Sequence, residues 1–166
     1  DDNSIIKLLK DLKSAIHNTN TKLCINDNVS VASKVGDIID ILHLGQLDMN
    51  PVKAKNIIDH NIEIGLSITN ENQLDSIPDC VDYVGVGPIY KTNSKDDASE
   101  PLGENGLKNI LMKTNLPVIA IGGISNIKVN KLFKLGVSGV AFISDILNNK
   151  NHLQNFLLLK NQIYKD

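Results

Sequence analysis

The residues best suited to chemistry sit just after short apolar runs. The stretch from Asp82 to Asp97 starts as a β-type run and breaks at Gly87-Pro88. It then becomes a polar loop carrying Thr92, Asn93, Ser94, Lys95, Asp96 and Asp97. Two hydroxyls and an ammonium in one loop can hold an anion, while Asp96 and Asp97 can simply keep the loop soluble. Asn26 and Asp27 follow one apolar run, and Asp48 lies just beyond the next. If those runs are neighbouring strands, the two carboxylates can reach one hard cation from two sides. Magnesium suits such a site, because it accepts one or two carboxylates and keeps positions for phosphate oxygens and water. A turn role for Asp27 and a helix-start role for Asp48 fit the same spacing.

Two glycine-rich runs offer anion sites. One is Gly122-Gly123-Ile124, and the other is Gly139-Val140-Ala141-Phe142-Ile143-Ser144. Glycine lets a ligand approach the backbone, and free N–H groups at helix starts favour phosphate. The same glycines also suit tight turns between strand and helix. His43, before Leu44-Gly45-Gln46, invites a general-base role, although a lone histidine at a strand end is more often packed and hydrogen-bonded. No Ser-His-Asp or Cys-His arrangement is legible.

The elements that must position these residues alternate along the chain. Helical spacing predicts a helix over Asn3 to His17, with Ile5, Ile6, Leu8, Leu9, Leu12 and Ile16 on one face and Ser4 or Asn3 as cap. Strands are expected at Lys22 to Ile25, Asp40 to Leu44, Ile62 to Ser67, Asp82 to Val86, Pro117 to Ile121 and Gly139 to Ile143. Helical segments separate them. One follows Asn28 and ends near Gly36. Another opens at Pro51 behind Asn50, with Val52, Ile57 and Ile58 facing inward. Asn70 caps a short third, Gly106 to Lys113 forms a fourth, and Asn126 caps a fifth that Gly136 stops. A last helix spans about Asn151 to Tyr164. The strands are nearly all apolar, as expected when helices cover a sheet, and polar residues gather after the strands. This is the pattern of an α/β protein with its site at the carboxyl ends of the strands, as in a (β/α) barrel. About six βα units are legible where a closed barrel needs eight, and the chain opens on a helix.

Composition narrows the function classes. A length of 166 residues fits one domain with a core, taken here as residues 1–166. The net charge of -2 argues against a nucleic-acid surface. Every basic residue is lysine, so guanidinium clamps on phosphate are absent from this chain. Two cysteines make neither a disulfide framework nor a zinc site, and Cys24, inside an apolar run, is expected to be a buried reduced thiol. No apolar stretch approaches membrane-spanning length and no signal-peptide pattern is present, so a soluble cytoplasmic protein is expected.

Jointly, the motifs resemble the thiamin phosphate synthase family. The resemblance rests on Leu23-Cys24-Ile25-Asn26-Asp27 with Val31-Ala32, and on His43-Leu44-Gly45-Gln46-Leu47-Asp48. It also rests on Ile64-Gly65-Leu66-Ser67, Asp82-Tyr83-Val84-Gly85-Val86-Gly87-Pro88-Ile89-Tyr90 and Thr92-Asn93-Ser94-Lys95. Pro117-Val118-Ile119-Ala120-Ile121-Gly122-Gly123-Ile124 and Val140-Ala141-Phe142-Ile143-Ser144 complete it. Some of these motifs are generic, but their order and spacing cover essentially the whole chain.

The resemblance implies a (β/α)8 TIM barrel, here lacking its first βα unit and second strand. It implies a transferase that condenses hydroxymethylpyrimidine diphosphate with hydroxyethylthiazole phosphate, giving thiamin phosphate and pyrophosphate through a carbocation with magnesium assistance. By resemblance, Asp27 and Asp48 match the magnesium ligands and Asn26 a pyrimidine contact. Ser67 and Lys95 match diphosphate contacts that act in catalysis. Thr92, Asn93 and Ser94 match the loop that holds the thiazole phosphate, and Gly123, Ile143 and Ser144 complete that pocket. Ser94 stands where the family usually has threonine. The family's Gln-x-Arg-x-Lys segment is not in this chain, which is therefore expected to be an amino-terminally truncated synthase or part of a larger fused protein. Its partners are expected to be small molecules, and a homo-oligomer is compatible with the sequence. The alternatives are a thiazole tautomerase-like paralogue and an inactive phosphate-binding remnant.

Overall fold

A computed structural model describes residues 1–92 and 100–147, together with Gln154, Phe156, Leu157 and Lys160 of a last helical stretch. The chain order is α1 (Asp2–Ile16), β1 (Cys24–Asn26), α2 (Val29–Lys34), β2 (Ile41–Leu44), α3 (Pro51–Lys55) and β3 (Glu63–Ile68). A 3-10 turn (Glu71–Ser76), β4 (Tyr83–Val86), α4 (Gly103–Lys113) and β5 (Val118–Ile121) follow. A second 3-10 turn (Asn126–Lys128), α5 (Val129–Leu135), β6 (Gly139–Ala141) and α6 (Ser144–Leu147) end the series. The expected strands are all present, shifted by a residue or two at their ends. Described residues group into two compact units, Asp1–Ser67 with Ile77–Tyr83, and Ile68–Ser76 with Val84–Asp166.

In the first unit, β1, β2 and β3 pair in parallel. The register aligns Ile25, Leu42 and Ile64 in one row and Asn26, His43 and Gly65 in the next. Successive residues of a strand face opposite sides. Ile25, Leu42, Leu44, Ile64 and Leu66 are therefore buried together, with Leu9 of α1 and Val29, Val31 and Ala32 of α2 also in the core. Each fully buried aliphatic side chain contributes about 1.5–3 kcal/mol relative to exposure. The opposite face carries Asn26, His43 and Ser67. Cys24 shares that parity and is exposed rather than buried, because among the described residues β1 is an edge strand paired with β2.

Caps follow the expected chemistry with some shifts. Asp1, not Ser4 or Asn3, caps α1 by accepting from the Ser4 N–H at 2.8 Å. Asn28 caps α2 and Asn50 caps α3, where Pro51 takes the first position. The second helix ends at Lys34 with Val35 as its C-cap, directly before Gly36. Because α3 has only five residues, Pro51 and Ala54 form its inward face, and Val52 and Ile57 are about half exposed. Only Leu9 of the α1 apolar face is fully buried, with Leu8 and Leu12 exposed.

In the second unit, β4, β5 and β6 pair in parallel, aligning Gly85, Ile119 and Gly139. Val84, Val86, Val118 and Ala120 pack with Leu107 and Ile110 of α4 and Val129 and Leu132 of α5 as the buried set. Gly136 ends α5 with φ of 107°, a left-handed conformation that suits glycine. Asn126 opens a 3-10 turn without a side-chain cap bond, so α5 starts later, behind Lys128. No helix among the described residues is long and apolar enough to cross a membrane.

Asp40 ties α1 to the sheet of the first unit. Its carboxylate accepts from Lys13 Nζ at 2.8 and 2.9 Å and from the Leu23 N–H at 2.8 Å. Burial opposes its ionisation, but the bonds from Leu23 and Lys13 outweigh that and hold Asp40 below the usual carboxylate range. Asp40→Asn is expected to cost about 1 kcal/mol, a value kept low because the pair is about a third exposed. A lowered folded-state pKa gives stability that is full above the unfolded value near ~4 and is lost as pH falls through the folded value. Urea melts should show the parent–variant gap at pH 7 closing below about pH 4.

Candidate active site

The carboxyl ends of β1, β2 and β3 place a connected polar set in the first unit. Asp27 follows β1 with φ of 62°, a left-handed conformation that only short polar side chains and glycine tolerate well. The turn around it is fixed by its N–H donating to the His43 carbonyl at 2.9 Å and its own carbonyl accepting from Val29 at 3.0 Å. Asn26 Nδ2 donates to Asp27 Oδ2 at 3.1 Å, orienting the carboxylate. After β2, Asp48 Oδ2 accepts from the Gly45 N–H at 2.7 Å and closes the exposed Gly45–Asp48 turn. Gln46 Nε2 donates to the Ser67 carbonyl at 2.7 Å, fastening that turn to the end of β3.

Inside this set lies a side-chain chain that the sequence did not reveal. His43 Nε2 lies 2.9 Å from Ser67 Oγ, and His43 Nδ1 lies 2.9 Å from the Tyr83 hydroxyl. Gly65 makes room for it: a Cβ there would overlap the Tyr83 ring and hydroxyl and His43 Nδ1. Burial, and then Cys24 beside it, push the Tyr83 phenol well above its usual range. The expectation that His43 is packed and hydrogen-bonded holds. The signal available in the sequence was strand alternation, which puts His43, Gly65 and Ser67 on the face opposite Leu42, Leu44, Ile64 and Leu66.

The second unit gathers polar groups at the ends of β4 and β5. The peptide between Gly87 and Pro88 is cis. The two ends of the long loop are joined at its base, with Leu102 N–H donating to the Pro88 carbonyl at 2.9 Å and Gly103 N–H to the Ile89 carbonyl at 3.0 Å. Gly122 and Gly123 have φ of 91° and 61°. A Cβ on Gly123 would lie 2.5 Å from the Lys91 carbonyl oxygen and 2.7 Å from that of Tyr90, so the two backbones meet without room for a side chain. Lys128 Nζ lies 3.7 Å from the Tyr90 ring centre and donates to the Gly123 carbonyl at 3.3 Å. The Tyr90 hydroxyl donates to Glu104 at 2.9 Å; burial and this carboxylate push Tyr90 up to about 12. Lys131, 2.7 Å from Glu104, holds that carboxyl below its usual range, with Tyr90 adding to the effect.

Thr92 is half-buried, and Ile143 and Ser144 are exposed just beyond β6. Asn93, Ser94 and Lys95 lie outside the described residues. Among the described residues no group of three or more His, Cys, Asp or Glu side chains gathers as a metal cage. Magnesium needs fewer: two carboxylates after adjacent parallel strands, with open positions for phosphate oxygens and water, are a donor set that fits it. Asp27 and Asp48, each just beyond one of two adjacent parallel strands, are compatible in type and position with such a set.

The family model described as "Thiamine monophosphate synthase" matches residues 1–146. A thiamine-phosphate synthase from Lactococcus lactis subsp. lactis (strain IL1403) is 34% identical over 162 residues, covering 97% of this chain and 74% of that protein. One from Oceanobacillus iheyensis is 38% identical over 151 residues, covering 90% and 72%. The solved thiamine phosphate pyrophosphorylase from Pyrococcus furiosus superposes with a TM-score of 0.87 at 26% identity, covering 98% of this chain and 77% of that one. With six strands alternating with helical segments among the described residues and this likeness, the fold is the α/β architecture of a partial (β/α)8 barrel.

The left-handed backbone at Asp27 separates its possible roles. In Asp27→Gly, relief of the strained conformation and added chain freedom oppose each other, so stability should stay within about 1 kcal/mol of the parent. Turnover should fall at least about tenfold if the carboxylate is used in the reaction. A loss of several kcal/mol in a denaturant melt would instead make Asp27 a turn residue held by its side chain.

Proposed function

The chain belongs to the thiamine monophosphate synthase family, and from that premise we propose that it condenses hydroxymethylpyrimidine diphosphate with hydroxyethylthiazole phosphate, releasing pyrophosphate. The observation that carries the reading is the Asn26–Asp27 pair with Asp48 and Ser67 at the carboxyl ends of adjacent parallel strands. A diphosphate leaving group needs such a set, and a thiazole tautomerisation does not.

In this reading the bond between the pyrimidine methylene and the diphosphate oxygen breaks, and its electron pair leaves with the diphosphate. The methylene carbon becomes a cation stabilised by the pyrimidine. The thiazole nitrogen then donates its lone pair to form the new C–N bond. Asn26 orients the pyrimidine. The Ser67 hydroxyl and the Lys95 ammonium meet the charge that develops on the leaving diphosphate. Thr92, Asn93 and Ser94, with Gly123, Ile143 and Ser144, hold the thiazole phosphate and keep water from the cation. Asp27 and Asp48 would hold a magnesium ion, which when bound neutralises diphosphate charge. The natural partners are thus two small phosphorylated molecules, in keeping with a cytoplasmic enzyme.

Incubating the protein with both substrates and magnesium should yield thiamin phosphate and pyrophosphate in equal amounts. Absence of product from folded protein carrying every segment of its natural chain would sink the reading. Asp48→Asn tests the metal role separately. The amide oxygen can still accept from Gly45, so the melting temperature should not move. The magnesium concentration for half-maximal turnover should rise about tenfold or more, since one of two carboxylates is lost. An unchanged magnesium dependence would remove Asp48 from the metal site.

A further inference from the structure

We propose that His43 is a positioning residue for Ser67: Tyr83 donates to Nδ1 and so leaves the ring proton on Nε2, which donates to Ser67 Oγ and leaves the serine proton free to donate to an anionic substrate. The proposal rests on the reading of Ser67 as a diphosphate contact. Its geometry is independent of that reading.

His43 Nδ1 lies 2.9 Å from the Tyr83 hydroxyl and Nε2 lies 2.9 Å from the Ser67 hydroxyl. A neutral imidazole has one donor and one acceptor nitrogen, so the two ends of the chain are coupled. Whichever nitrogen accepts from its hydroxyl, the other must donate. The Tyr83 end decides. Its phenol stays protonated, being half-buried beside Cys24, and its proton needs an acceptor. Among its neighbours, imidazole Nδ1 is a strong acceptor, whereas a thiol sulfur is a weak one. With the Tyr83 proton on the bond to Nδ1, Nε2 carries the ring proton and points it at Ser67. The serine oxygen is then an acceptor within the protein and its own proton is directed elsewhere. The opposite arrangement would turn the Ser67 proton into the ring. That would suit a nucleophilic serine, and the displacement proposed above has none.

Gly65 shows that the fold makes room for this chain of groups. It sits opposite His43 in the parallel register, and the space its side chain would fill is taken by the Tyr83 ring and by His43 Nδ1. Gln46 adds a second hold on the same serine through its carbonyl. The hydroxyl is thus fixed at its backbone and at its oxygen, which leaves only the direction of the proton, and the imidazole sets that.

The tautomer is read directly by correlating the ring protons of 15N-labelled His43 with its two nitrogens at neutral pH. A proton on Nε2 and a lone pair on Nδ1 are expected. A proton on Nδ1, alone or together with one on Nε2, overturns the proposal whatever the enzyme does. Tyr83→Phe keeps the ring that fills the Gly65 gap and removes only the hydroxyl. It should raise the KM for the pyrimidine diphosphate, and the Kd for inorganic pyrophosphate with magnesium, about tenfold, as for loss of a hydrogen bond to a charged group. The KM for the thiazole phosphate should stay within about twofold, well inside the tenfold that 1.4 kcal/mol represents. In a Ser67→Ala background, Tyr83→Phe should have no further effect, and His43→Gln should retain more pyrophosphate affinity than His43→Ala. Additive effects of Tyr83→Phe and Ser67→Ala would overturn the relay. A parent protein that binds pyrophosphate with these couplings yet forms no thiamin phosphate would overturn the proposed function and leave the relay standing.

Discussion

Parallel pairing in register is the constraint on which the site depends. Within each unit, parallel strands must all end on the same side, so residues that follow them are brought together whatever their distance in sequence. In the first unit the register sets Asn26, His43 and Gly65 side by side, and the loops that follow deliver Asp27 and Asp48. The aliphatic row of Ile25, Leu42 and Ile64 fixes that register, because a one-residue slip would turn the buried side chains out and the polar ones in. The core therefore positions the chemistry: the hydrophobic pattern chooses the register, and the register chooses the neighbours.

Missing side chains matter as much as present ones. Gly65 opens the space in which Tyr83 meets His43, and Gly123 lets the β5 turn touch the Tyr90–Lys91 backbone. Neither glycine serves a helix. At Gly65 the requirement is volume, and at Gly123 it is volume together with φ of 61°. A side chain at either place would push a polar group away from where the strand ends hold it.

Local signals were legible in the sequence, and long-range ones were not. Apolar runs located all six strands, because a fully covered strand reads as a continuous aliphatic stretch. Pro51 behind Asn50 and Gly136 marked helix ends, since their backbone preferences act on the nearest turn. Asp27 and Asp48 could be placed at strand ends, but not chosen as ligands over turn residues, because both roles need the same local position. Cys24 defeated the rule that apolar runs bury thiols: its exposure follows from unpaired edge and strand parity, not from composition. Val52 and Ile57 failed as inward residues because α3 stops after one turn, which periodicity cannot foresee. The Ser67–His43–Tyr83 chain joins residues 24 and 40 positions apart, and only the fold shows it.

The absence of arginine gives that chain its sense. A guanidinium recognises phosphate through a rigid fork whose donors point correctly by themselves. This chain has only lysines, whose ammonium is a point charge without direction, and hydroxyls, whose protons rotate. In the proposed reading, a fixed hydroxyl proton is one directional donor this chain can offer a diphosphate, beside its backbone N–H groups. A serine whose oxygen is occupied by an imidazole donor has that direction imposed before substrate arrives, and no ordering cost falls on the binding step. A half-buried phenol is well suited to set the imidazole, because its proton does not leave near neutral pH. In that reading the Tyr83, His43 and Ser67 groups supply by relay part of the direction that an arginine would supply by shape.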